Sequence, residues 1–156
     1  MKITFELNGK LHHADAKAGM TLLEYLRSIQ LYSVKYGCDH GECGACTVLI
    51  NDVAINACLT LMHTVEGKRI ETTETFSSHE ELHSLQEGFL HAGAAQCGFC
   101  TPGMINSLEA LDREGLEVNE TAVRDALNGN LCRCTGYLKP VEAALEVLSK
   151  DKGAKS

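Results

Sequence analysis

Tryptophan is absent from the 156 residues and aromatic side chains make up only 5%. Neither half can therefore build a large aromatic core, and a small scaffold of this kind needs other staples such as metals or disulfides. No apolar run approaches the roughly eighteen residues of a bilayer span. The opening run, Met1-Lys-Ile-Thr-Phe-Glu-Leu-Asn-Gly, lacks a charged segment followed by an apolar stretch, so no secretory leader is predicted. Basic residues are outnumbered, 14 Lys and Arg against 21 Asp and Glu for a net charge of −7. That disfavours nucleic acid, which needs a basic face, and suits solubility or docking onto a basic protein patch. No acid–base pair or nucleophile constellation for bond-making chemistry is visible.

Cysteine is the residue in surplus, with eight. In a chain read as unexported and cytoplasmic, thiols bind metal more often than they pair as disulfides. Cys38, Cys43 and Cys46 stand in a C-x4-C-x2-C spacing with Cys58 downstream, the plant-type [2Fe–2S] pattern. A tight turn supplies three thiolates and a neighbouring segment the fourth. Gly37, Gly41 and Gly44 keep side chains away, leaving backbone N–H groups free to face the cluster. Zinc prefers paired C-x2–4-C knuckles and fits this set poorly.

The second set is Cys97 and Cys100 (C-x2-C) with Cys132 and Cys134 (C-x-C). Each pair precedes an expected helix, whose free N–H groups and positive dipole end suit an anionic, thiolate-ligated group. A tetrahedral zinc site of four thiolates is the competing reading here. Disulfides are disfavoured, because adjacent C-x-C thiols bridge badly.

The periodicity predicts an α+β chain. Strands are expected at Lys2–Leu7 and Leu11–Ala14 around Asn8-Gly9, a strong hairpin signal. Thr21 with Glu24 forms a capping box opening a helix that buries Leu22, Leu23, Leu26 and Ile29. Thr47–Ile50 and Val53–Ile55 flank an Asn51-Asp52 turn, and Lys68–Thr72 completes a small mixed sheet, the shape of a β-grasp domain over residues 1–75. A polar, serine-rich linker covers 76–83. Four helices are expected over 84–150, forming a four-helix bundle. Leu82, Leu85, Phe89 and Leu90 recur at helical spacing in the first; the second opens at an N-cap Thr101 with Pro102 at the first helical position. The third is capped by Asn119, and the last runs from Pro140 to Leu148. Residues 151–156 read as a flexible tail. His12, His13, His63, His79, His83 and His91 show no ligand pattern and read as surface residues; His40 reads as an occupant of the cysteine loop.

Four stretches carry a resemblance: Gly37-Cys-Asp-His-Gly-Glu-Cys-Gly-Ala-Cys-Thr-Val-Leu, Asn56-Ala-Cys-Leu, Gln96-Cys-Gly-Phe-Cys-Thr-Pro-Gly-Met and Gly129-Asn-Leu-Cys-Arg-Cys-Thr-Gly-Tyr. In this order they resemble the small iron–sulfur subunit of the molybdenum hydroxylases, the superfamily of xanthine dehydrogenase, carbon monoxide dehydrogenase and aldehyde oxidoreductase. The resemblance covers about residues 2–148. It implies a plant-type ferredoxin-like domain followed by a helical [2Fe–2S] domain, with Cys38, Cys43, Cys46 and Cys58 holding one cluster and Cys97, Cys100, Cys132 and Cys134 the other.

It further implies that the chain performs no substrate chemistry itself. Electrons would pass from molybdopterin in a large subunit through the second cluster, then the first, to FAD in another subunit, in an (αβγ)2 assembly. Gln96 matches a pterin-contacting position, and a xanthine dehydrogenase-like purine substrate is favoured. Asn51-Asp52 departs from the family, which commonly has glycine in that turn, and Pro140 replaces an aliphatic residue. Two other readings are a free-standing [2Fe–2S] ferredoxin, for which the helical half would be superfluous, and a zinc-stabilised interaction module.

Overall fold

The computed structural model describes residues 1–77 and 81–154, with side chains through Ser149. His79 and part of the expected linker lie outside the described residues, as do residues 155 and 156. Among the described residues the chain is α+β, with one mixed sheet and five α-helices.

Strand β1 (Lys2–Leu7) buries Ile3, Phe5 and Leu7 on one face, as its alternation requires. It turns at Asn8 (φ 50°) and Gly9 (φ 75°) into β2 (Lys10–Asp15), both central residues having the positive φ of a type I′ turn. Helix α1 (Leu22–Ser28) carries the expected capping box. Thr21 Oγ1 accepts from the Glu24 N–H at 3.2 Å, and the Glu24 carboxylate accepts from the Thr21 N–H at 2.8 Å. Its Leu22, Leu23 and Leu26 are fully buried against the sheet.

Strands β3 (Thr47–Ile50) and β4 (Val53–Asn56) form the second hairpin, and β5 (Arg69–Glu71) lies between β1 and β3, giving the order β2-β1-β5-β3-β4. Asn51 and Asp52 both adopt positive φ (50° and 70°), so the left-handed turn forms without glycine. Both side chains are used there. Asn51 Oδ1 accepts from the Arg69 N–H at 2.9 Å, and Asp52 pairs with Arg69 and Arg113.

Helices α2 (Ser84–His91), α3 (Thr101–Arg113), α4 (Glu120–Leu127) and α5 (Leu138–Ala154) enclose a second core of Leu85, Phe89, Met104, Leu108, Val123, Leu127, Ala144 and Leu148. Asn119 caps α4 as expected, its Oδ1 accepting from the Ala122 N–H at 2.9 Å. Three details differ from expectation. Cys100, not Thr101, is the N-cap of α3. Pro140 sits inside the first turn of α5, where N–H groups have no intrahelical partner and proline costs no hydrogen bond. Helix α5 also runs past Leu148 to Ala154. Two histidines expected at the surface are half-buried. His12 meets the Tyr25 hydroxyl at 2.7 Å, its pKa lowered by burial and then by His13, and His83 caps α2 through Nδ1.

The two halves are joined along α3, which crosses β3. Asn106 Nδ2 donates to the Thr47 carbonyl at 2.6 Å. At the far end of the helix, about 10 Å away along its axis at 1.5 Å per residue, Arg113 meets three carboxylates. It donates to Glu109 at 2.8 Å, Asp52 at 2.6 Å and Glu71 at 2.5 Å, with Phe76 under its guanidinium. Glu71 and Glu109 are mostly buried (side chains 16% and 11% exposed), so removing the guanidinium takes the nearest cationic partner from both, leaving Glu71 with Arg69 at 3.5 Å and Glu109 with His83 at 3.5 Å.

Arg113→Gln is expected to cost about 1.5–3 kcal/mol, the range for charged hydrogen bonds, measured by urea unfolding at neutral pH. The hydrogen bond from Arg113, together with Arg69, holds the Asp52 carboxyl below its ordinary value. A depressed folded pKa means stability that is present above the unfolded value near 4 and lost as pH falls through the folded one. The Arg113→Gln penalty should accordingly shrink in acid. A penalty independent of pH down to 3 would show that the Asp52 pair contributes nothing.

Candidate metal centres

The first cysteine loop runs from α1 into β3, and Cys58 sits on a short 3-10 turn (Ala57–Leu59) directly after β4. Hairpin pairing of β3 with β4 brings this turn opposite Cys46, whose carbonyl accepts from the Ala57 N–H at 3.2 Å. The sulfurs meet in pairs, Cys38 with Cys43 and Cys46 with Cys58, and Cys43 lies beside Cys46. Cys46 and Cys58 are buried, while Cys38 and Cys43 are half-exposed.

Backbone N–H groups of His40 and Cys43 each reach Cys38 Sγ at 3.4 Å and bring its thiol down to about 6. Burial pushes Cys46 up to about 12. His40 therefore serves the site through its amide. Asn56 braces the loop by donating from Nδ2 to the Gly41 carbonyl at 2.9 Å.

The second set is carried by the α2–α3 and α4–α5 loops. Cys100 meets Cys132 and Cys97 meets Cys134, with Cys97 also beside Cys100. Burial pushes Cys100 up to about 12. Burial, the largest single influence, raises Cys132, but the Thr135 hydroxyl, 3.1 Å from its Sγ, together with the Thr135 and Cys134 backbone and the Cys100 side chain, outweighs it and holds the thiol down. The Cys132 N–H donates to the Tyr137 hydroxyl at 2.9 Å. Cys97 and Cys134 are exposed, and so are Gln96 and Arg133 next to them.

All eight cysteines are free thiols. Among the described residues, no three His, Cys, Asp or Glu side chains enclose one point as a single ion needs; the sulfurs of each set instead form two contacting pairs. Four thiol donors per set, with N–H and O–H groups directed at sulfur, fit a thiolate-ligated [2Fe–2S] group, in which each iron takes two protein ligands. Buried thiols resist losing their protons, so binding would couple to proton release.

The two sets share one seam that the cysteine spacing does not reveal. The Leu131 N–H, one residue before Cys132, donates to the Cys43 carbonyl at 2.8 Å. A Cβ on Gly44 would lie 2.1 Å from the Gly129 carbonyl oxygen, and one on Gly103 would lie 2.3 Å from the Gly44 carbonyl oxygen. Only hydrogen at both positions permits this approach. Asn106 and Ser107 carry a signal in the sequence, as two adjacent polar residues that, with Glu109, interrupt the buried run from Gly103 to Leu111.

Residues 5–75 match the family described as 2Fe-2S iron-sulfur cluster binding domain, and residues 72–145 match [2Fe-2S] binding domain. The chain is 45% identical over 148 residues to the xanthine dehydrogenase iron-sulfur-binding subunit of Escherichia coli O157:H7, covering 92% of this chain and 93% of that one. It is 40% identical over 147 residues to the 6-hydroxypseudooxynicotine dehydrogenase complex subunit beta of Paenarthrobacter nicotinovorans, covering 93% and 92%. The crystal structure of quinoline 2-oxidoreductase from Pseudomonas putida 86 superposes with a TM-score of 0.93 at 37% identity, over all of this chain and 97% of that one. Longer relatives also match, the chain spanning 11% of plant and fungal xanthine dehydrogenases.

Proposed function

Because the chain belongs to the iron–sulfur subunits of the molybdenum hydroxylases, we propose that its eight cysteines hold two [2Fe–2S] clusters and that it is the electron relay of such an enzyme. Cys38, Cys43, Cys46 and Cys58 are the ligands of the first, and Cys97, Cys100, Cys132 and Cys134 of the second. Bound there, the clusters supply one-electron chemistry between a two-electron substrate oxidation at molybdopterin and FAD. The observation that carries this reading is the hydrogen bond from the Leu131 N–H to the Cys43 carbonyl, which joins the two cysteine loops into one polar contact.

Exposure supports a role for each face of the chain. The half-exposed Cys38 and Cys43, with Asp39 and Glu42 exposed in the same loop, face outward toward the FAD subunit. The exposed Gln96, Cys97 and Cys134 are covered by a large subunit, with Gln96 against its pterin. Residues 1–75 act as the ferredoxin-like domain and 84–150 as a four-helix-bundle [2Fe–2S] domain, in a cytoplasmic (αβγ)2 complex. The substrate is read by the large subunit; a purine of the xanthine type is the favoured class, alongside aldehydes, N-heteroaromatics and carbon monoxide. Among the described residues no helix is long and apolar enough to cross a membrane.

Low-temperature EPR of the dithionite-reduced protein, with iron measured in the same sample, tests the reading. About four irons per chain and two distinct spin-half signals are expected, two irons to each cluster. About two irons and one signal would leave a single loaded set and return the chain to a ferredoxin joined to a structural bundle.

A further inference from the structure

Asn130 is 2% exposed and stands where four segments cross. Its Nδ2 donates to the Gly44 carbonyl of the first cysteine loop at 3.0 Å and reaches Thr47 Oγ1 at the start of β3 at 3.3 Å. Its Oδ1 accepts from the Ser107 hydroxyl on α3 at 2.7 Å. The Asn130 N–H donates to the Leu127 carbonyl at the end of α4 at 2.9 Å. Gly44 and Gly103 wall the amide so closely that a Cβ on either would lie 2.7 or 3.1 Å from Nδ2.

The Gly44 carbonyl does not need this amide for its own satisfaction. It already accepts from the Thr47 N–H at 3.1 Å and the Thr47 hydroxyl at 2.7 Å. What the amide adds is a link between separate pieces of chain. It ties the segment entering Cys132 to the segment leaving Cys43, and braces both on the helix that follows Cys100. A carboxamide suits the place because donors are needed on one side and an acceptor on the other. A buried, fully bonded amide in a tight polar network has little freedom to shift.

We infer that Asn130 is a positioning residue for electron passage between the two centres, setting the separation and orientation of the two cysteine sets. Its contacts with Gly44, Thr47 and Ser107 hold the second loop so that Leu131 donates to the Cys43 carbonyl. This rests on the two-cluster reading above. It makes Asn130 a determinant of transfer rate that touches neither substrate nor metal.

The test compares wild type, Asn130→Ala and Ser107→Ala in the complete enzyme complex. It records iron content, the magnetic splitting between the two reduced centres, and the rate at which the first centre is reduced after the second. In Asn130→Ala the splitting is expected to collapse or change, with transfer slower by roughly tenfold or more, within the roughly 10²-fold that a misplacement of about 1 Å can cost in positioned reactions. Iron content and the individual signals stay as in wild type.

Ser107→Ala removes one of the amide's bonds and should move both readouts the same way by less; it decides the case if Asn130→Ala fails to load. Loaded variants with wild-type splitting and rate overturn the positioning role and leave Asn130 as core filling. A wild-type protein with a single signal overturns the two-cluster reading itself, and this inference with it.

Discussion

Cys43→Ser is expected to remove about half of the iron, one [2Fe–2S] cluster's share, and to abolish reduction of flavin by substrate in the assembled complex. Serine is nearly isosteric, so the polypeptide survives the change. The Cys43 backbone keeps its N–H donation toward Cys38 Sγ at 3.4 Å, and its carbonyl keeps the Leu131 N–H at 2.8 Å. What is lost is a soft thiolate on an iron site that selects for one. Because the second set shares no ligand with the first, it should load normally and still be reduced by substrate. Freeze-quenched EPR beside flavin absorbance reads both consequences. Flavin reduced at the wild-type rate in a protein with halved iron would mean that electrons do not leave through the first centre.

Gly44→Ala is the second change with a large effect, and it acts with every sulfur retained. The residue has φ +67°, where an L side chain is strained, and the new methyl would sit 2.1 Å from the Gly129 carbonyl oxygen. Backbone cannot yield as a flexible side chain would. Left-handed strain of about 1–2 kcal/mol adds to overpacking of about 1–3 kcal/mol, for an expected loss of about 2–5 kcal/mol. Against a typical stability of roughly 5–15 kcal/mol that is a large fraction.

The methyl has one way to be accommodated, which is for the second cysteine loop to back away from the first. Thermal unfolding should show the loss, and the Leu131 amide should lose protection from hydrogen exchange ahead of the β1–β2 hairpin. An alanine variant melting with wild type would mean that the loops are not in contact at Gly44. Gly103→Ala, with its methyl 2.3 Å from the Gly44 carbonyl oxygen, probes the same seam from α3.

Much of this architecture is written locally. Asn8-Gly9, the Thr21–Glu24 capping box and the Asn119 cap each specify a turn or helix end through contacts within a few residues, and all three form as read. The Asn51-Asp52 turn is legible as a turn but not in its purpose, since the partners that repay two left-handed non-glycine residues are Arg69 and Arg113, far along the chain. The α3 cap lies one residue earlier than the sequence suggests, because Thr101-Pro102 has the form of a cap and first turn. In the fold the chain enters the helix from Cys100, and Thr101 Oγ1 is buried without a partner.

His12 and His83 look like surface residues in the sequence for a related reason. Nothing near them in sequence announces the Tyr25 hydroxyl or the Glu109 carboxylate that receive them. The cysteine sets stood out through spacing. The seam between them did not, because a hydrogen bond such as Asn130 to Gly44 spans 86 positions and involves an amide with no motif chemistry of its own.

That seam bears on how the chain can be reused. By composition it divides into a β half and a helical half joined by a polar stretch, an invitation to treat them as interchangeable modules. The Gly44–Gly103 contact and the Asn130 amide make them a single cassette instead. Separating the halves would leave a carbonyl, a hydroxyl and a carboxamide facing water where each was shaped to face the other half. Such a cassette can be carried whole into a longer polypeptide, as in relatives of which it spans 11%, but its halves cannot be shuffled independently with those of another protein.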